Sequence, residues 1–199
     1  LGVVESVRQN TRAIASLFGL EDTAGELMTG FDSRVAALAS FSEGRTAIVW
    51  AWLPAAASMC WATTAAAPLI GREAGFANVG ADAQPGTSTH GNEASFEFLV
   101  DKDPDYLFVL DRDAAIGTAG AKLAQEVVEN ELMKGTAAYR DGRIVYLAHP
   151  AVWYTAEGGI TALDRMLRDL GGSPAEVNTA ERTGMSAAHP RSAAVPPAE

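Results

Sequence analysis

The chain has 199 residues, 48% of them hydrophobic, and its 15 basic and 25 acidic side chains leave a formal net charge of −10. That length buries the core of one ordinary domain, while the acidic balance and the lack of any Lys/Arg run argue against a nucleic-acid or anionic-membrane surface. Cys60 is the single cysteine, so neither a disulfide framework nor a thiolate metal cluster is expected, and it reads as a small buried apolar residue.

Residues 3–18 place Val3, Val7, Ile14, Leu17 and Phe18 at helical spacing, and Gly19 stops that helix. A second amphipathic helix runs from Glu21 to about Phe41 through Leu27, Met28, Phe31, Val35 and Leu38. Thr46–Leu53 (TAIVWAWL) is a continuous apolar run bounded by Gly44 and Pro54, the pattern of a strand buried on both faces. Residues 55–67 are Ala/Thr-rich and ambiguous, with a short strand open at Met59–Trp61.

Leu69–Ala74 reads as a short helix capped by Gly75, residues 77–92 as a polar loop, and Ser95–Lys102 as a helix. After the Asp103-Pro104-Asp105 turn comes a second buried strand, Tyr106–Leu110 (YLFVL). Residues 119–135 are predicted as a helix with Leu123, Val127, Val128 and Leu132 inward. Asp141-Gly142 turns into a third buried strand, Ile144–Leu147. Gly158-Gly159 precedes a last helix with Ile160, Leu163, Met166, Leu167 and Leu170 on one face.

Strands alternating with helices imply an α/β fold, a three-layer sandwich around a mostly parallel sheet. Residues 173–199 show no periodicity and read as a disordered tail.

Ligands of open parallel sheets sit at the carboxyl ends of the strands. Asp111-Arg112-Asp113 follows one strand there and His149 to Tyr154 follows the next, and a right-handed crossover puts both on one rim. Arg112 is either an exposed ion-pair partner of Asp111 or Asp113, or a guanidinium fork aimed at an anion. Tyr154 is either a buried aromatic or a pocket hydroxyl, and His90, in a glycine-flanked polar loop, either structural or a ligand. There is no phosphate loop, paired-His metal motif or nucleophile elbow to support an enzyme.

Two segments, STHGNEASFEFLVDKDPDYLFVLDRDAAIG (88–117) and TAAYRDGRIVYLAHPAVWYTAEGGITALDRML (136–167), resemble the siderophore-binding proteins of iron ABC importers, in the catecholate and petrobactin-type group. The likeness spans about residues 1–170 and is poor over 54–72. It implies one lobe of a two-lobe binding protein: an interlobe connecting helix (1–20) and a C-terminal α/β lobe (21–172), with the other lobe, export signal and lipid anchor expected upstream. An exposed apolar face and self-association of the chain are expected with it.

The resemblance further implies no catalysis, no intrinsic cofactor, and a ferric siderophore as cargo. Its partners would be the importer's permease and ATPase, on the periplasmic or extracellular side of the membrane. Carried over by position, His90 and Tyr154 become ligands to iron, Arg112 an anion clamp, and Trp153 a neighbour of the bound cargo. Phenolate and imidazole both suit ferric iron, and a siderophore offering four donors leaves two octahedral positions for them. Two departures stand out. Ala66 falls where the family places a second pocket arginine, and His149-Pro150 replaces Asp-Pro. Other readings of the chain are a haem, cobalamin or other metal-chelate carrier on the same fold, and a standalone small enzyme or regulatory domain.

Overall fold

A computed structural model describes residues 2–53, 58–61, 69–80, 95–118, 124–155 and 158–171, with the backbone alone for 50–53 and 58–61. His90, Ala66 and the expected tail lie outside the described residues.

The sheet is built on β1 (Thr46–Leu53), β4 (Tyr106–Asp111) and β5 (Ile144–Tyr146), adjacent and parallel in the order β1-β4-β5. Two short strands pair with β1: β2 (Ser58–Trp61) antiparallel and β3 (Ala77–Asn78) parallel. Side chains alternate across the pleat. Ala47, Val49, Tyr106, Phe108, Leu110, Val145 and Leu147 face one layer; Ile48, Leu107, Val109, Ile144 and Tyr146 face the other.

The first layer contains α1 (Val3–Phe18), α2 (Glu21–Ser42) and α8 (Ile160–Gly171), which bury Val4, Val7, Phe31, Leu38, Leu163, Met166, Leu167 and Leu170. The second contains α3 (Phe96–Lys102), α5 (Ala124–Val128) and α6 (Ala137–Arg140), which contribute Leu99, Ala124, Val128 and Ala138. Two more helices sit directly after strands: α4 (Arg112–Ile116) after β4, and α7 (Pro150–Thr155) beyond β5. The expected three-layer α/β sandwich is therefore what forms, with the mostly parallel sheet between the helical layers. A fully buried Phe31, Phe108 or Leu107 contributes about 1.5–3 kcal/mol of transfer free energy each. Among the described residues no helix is long and apolar enough to cross a membrane.

Several local expectations need correction. The helix expected over 119–135 is not continuous: α5 ends at Val128, and a 3-10 turn covers Met133–Gly135. Asn130 breaks it, because its Oδ1 accepts from the backbone N–H of Leu132 and of Met133, and its Nδ2 donates to the Val127 carbonyl. Met133 is consequently buried and Leu132 exposed. The short helix expected at Leu69–Ala74 is present as a π-helix over Leu69–Glu73, whereas β3 lies within the stretch read as loop. On α1, Val4 and Ala15 are buried while Ile14, Leu17 and Phe18 stay exposed.

Candidate functional site

Asp111 closes β4 and opens α4. Its Oδ1 accepts from the Ala114 backbone N–H at 3.0 Å, capping the helix, and its Oδ2 accepts from Ala124 N–H at 2.8 Å, tying α4 to α5. Both oxygens cap the backbone, and the partners of Arg112 are Asp113 and Tyr154 rather than Asp111. Asp113, with a side chain 8% exposed, reaches the Arg112 guanidinium only at 3.9 Å.

Arg112 instead points to α7, which packs against α4. Its Nε donates to the Tyr154 hydroxyl at 3.2 Å, and the guanidinium carbon lies 5.6 Å from the centre of the Tyr154 ring. The hydrogen bond to Tyr154 raises the Arg112 pKa above its ordinary value, with Asp113 a smaller contributor. Tyr154 is 41% exposed, so the ring is not core. Two of the four site residues read from the sequence are therefore brought together at the carboxyl ends of adjacent parallel strands.

Trp153 turns the other way. It is buried in the layer of α1, α2 and α8, and its indole N–H donates to Asp169 Oδ2 at 2.8 Å. The same carboxylate accepts from the His149 backbone N–H at 3.1 Å and lies 2.8 Å from His149 Nδ1. Sequence reasoning passed over Asp169. Its signal was there: a carboxylate between Leu167 and Leu170, three residues after Met166, falls on the apolar stripe of α8.

A small cavity of about 60 Å³ lies at the strand ends, lined in part by Val109, Asp111, Tyr146 and Pro150. Pockets for drug-sized ligands measure roughly 300–1,000 Å³, so this hollow does not enclose one, and neither Arg112 nor Tyr154 is in its lining. Among the described residues there is no group of three or more His, Cys, Asp or Glu able to hold a metal ion. What the rim of β4 and β5 presents is one guanidinium and one phenol.

A family model for periplasmic binding proteins matches residues 2–151. The chain belongs to the periplasmic binding protein family. Within that family it is 38% identical over 90 residues to the petrobactin-binding protein YclQ of Bacillus subtilis, an alignment covering 45% of this chain and 27% of YclQ. The ferric-anguibactin-binding protein FatB of Vibrio anguillarum is 30% identical over 83 residues, covering 42% of this chain and 25% of FatB. Among solved structures, the periplasmic catecholate-siderophore binding protein VctP of Vibrio cholerae superposes with a TM-score of 0.75 at 25% identity. That match covers 86% of this chain and 61% of VctP. The chain therefore spans about a quarter of the curated relatives in sequence, and about three-fifths of VctP in structure. YclQ is described as binding petrobactin, FatB ferric anguibactin and VctP catecholate siderophores.

Proposed function

We propose that the chain is a lobe of the substrate-binding component of an ABC importer, and that it captures a ferric siderophore for iron uptake. The observation that carries this reading is the Arg112–Tyr154 pair on the carboxyl rim of β4 and β5. A guanidinium beside a phenol matches an anionic oxygen-rich iron complex: the first neutralises charge, and the second supplies a hard oxygen donor to ferric iron. The relatives named for petrobactin, ferric anguibactin and catecholate siderophores support the same cargo class. His90 is carried over as the second iron ligand. The protein acts by binding, without an intrinsic cofactor, on the outer side of the membrane, and hands its cargo to a permease and its ATPase.

The test is a titration of the protein with ferric petrobactin-type and other catecholate complexes, and with haem and cobalamin, followed by tryptophan fluorescence. Saturable quenching by a ferric siderophore, with none by the same siderophore lacking iron, is the expected result. Binding of haem or cobalamin with no response to any ferric siderophore would overturn the proposal.

A further inference from the structure

Tyr154 stands on α7, a helix of six residues from Pro150 to Thr155. A helix that short has no stability of its own and takes its orientation from tertiary contacts. It packs against α4, α8 and β4, and its polar contacts to α8 meet on one carboxylate. Asp169, on α8, is 2% exposed and holds both ends of the first turn of α7. At one end it accepts from the His149 backbone N–H and pairs with His149 Nδ1; at the other it accepts from the Trp153 indole. The His149 carbonyl closes the same turn by accepting from Val152 and Trp153 N–H at 2.9 and 3.2 Å.

Successive residues of an α-helix are rotated by about 100°. With Trp153 fixed toward Asp169, Tyr154 has to leave the helix on the neighbouring side, where Arg112 meets it. We propose that Asp169 is the positioning residue of this rim: by holding His149 and Trp153 it sets the rotation of α7 and so turns the Tyr154 hydroxyl toward Arg112 and the cargo. The inference rests on the ferric-siderophore reading only for what Tyr154 then does, not for how it is held.

The chemistry of the carboxylate makes the idea separable from simple packing. A carboxylate only accepts, so the 2.8 Å contact between Asp169 and His149 Nδ1 pairs with a proton on that ring nitrogen. Asparagine at 169 can keep all three links: its oxygen accepts from the His149 backbone and the indole, and its amide donates to Nδ1, which forces the proton to Nε2. Leucine has the same branching and number of side-chain heavy atoms, in a somewhat larger volume, and keeps none. Trp153→Phe keeps the ring in the core and removes one link.

The experiment uses the whole chain. In the free protein, the Arg112 Nε–H signal is followed by 15N–1H NMR, with Tyr154→Phe marking the shift caused by losing the bond. Asp169→Leu and Trp153→Phe are expected to show that same shift with the core signals unchanged. Asp169→Asn is expected to keep the wild-type signal while the His149 ring nitrogens report the exchanged tautomer. With cargo, Trp153→Phe is expected to weaken a four-donor ferric complex roughly tenfold, as loss of one metal or hydrogen-bond contact does. A six-donor complex, which needs no protein oxygen at the metal, should change by less than about twofold. An Arg112 signal unmoved in both Asp169→Leu and Trp153→Phe overturns the proposal, as does equal weakening of the two complexes. If the NMR pattern holds but the wild-type chain binds neither complex, Asp169 remains the positioning residue and the ferric-siderophore reading is what fails.

Discussion

Arg112 and Tyr154 are 42 residues apart in sequence and 3.2 Å apart in space. The register of β4 against β5 accounts for this. Val109 pairs with Tyr146, so Arg112 and His149 each stand three residues past the paired position, and the helices that follow them pack side by side. Asp111 caps α4 and α5 through backbone N–H groups, while Arg112 turns to Tyr154. Arg112→Gln is therefore expected to weaken an anionic ferric complex on the order of tenfold and to flatten the salt dependence of binding. Lysine at this position should recover only part, because it restores the charge without the planar fork. Titration at two salt concentrations checks this; unchanged affinity in Arg112→Gln would remove the residue from the site.

Gly75 has a backbone φ of +85°, and a Cβ built there would lie 2.8 Å from the Ser42 hydroxyl oxygen. Ser42 is fully buried and its single hydroxyl proton is shared between the carbonyls of Ala39 and Ala74, joining the end of α2 to the turn before β3. Gly75→Ala combines left-handed strain with this clash and is expected to cost about 1–3 kcal/mol. Ser42→Ala in the same chain removes the clash and keeps the strain, so the double variant should cost less than the sum of the singles. Urea midpoints of the three variants measure the coupling; strict additivity would show that the neighbour moves aside freely.

The strands were legible because Ile48, Leu107, Val109 and Val145 sit in runs buried on both faces, which needs no tertiary information to recognise. Helix α1 was legible as a helix but not in its burial. Ile14, Leu17 and Phe18 share its apolar spacing yet remain exposed, since periodicity identifies an apolar face without showing what covers it. Asn130 shows a different gap: its side chain replaces the helix's own hydrogen bonds, a local competition that hydrophobic pattern does not register. In the site, adjacency of strand ends was enough to pair Arg112 with Tyr154. The opposite orientations of Trp153 and Tyr154 were not legible, because they depend on Asp169, sixteen residues beyond Trp153 on another helix.

Asp105 links the turn before β4 to the start of β1, accepting from the Thr46 backbone N–H at 2.8 Å and from its hydroxyl at 2.9 Å. The backbone hydrogen bond is the main cause of a carboxyl held below its usual range; burial opposes it, and the Thr46 hydroxyl, Arg143 and Arg45 add to it. The unfolded carboxyl takes up its proton near pH 4, while the folded one is still ionised. Stability from this group is thus complete above that pH and is lost as pH falls through the lower folded value. Asp105→Asn is expected to lower stability at neutral pH and to make its decline between about pH 5 and 3 shallower than in wild type. Urea midpoints across that range decide it; parallel acid limbs would show that other carboxylates carry the transition.

Leu17, Phe18, Leu20 and Leu27 are 80, 72, 52 and 53% exposed around the hairpin between α1 and α2. Leu20 and Leu27 line an apolar hollow of about 280 Å³ together with Ile14, Ala24 and Ile160. Side chains of this size rarely cluster in the open on a soluble monomer, and the polar residues lining the hollow, Asn10, Thr11 and Thr23, are uncharged, although Glu21 and Asp22 open α2 beside it. The 199-residue chain is therefore expected to self-associate as its concentration rises. Replacing Leu17 and Phe18 with Glu should suppress association without a loss of stability, because neither side chain is buried. Light scattering against concentration is the measurement. A wild-type chain that stays monomeric across the range would mean the hairpin surface is tolerated in water as it stands.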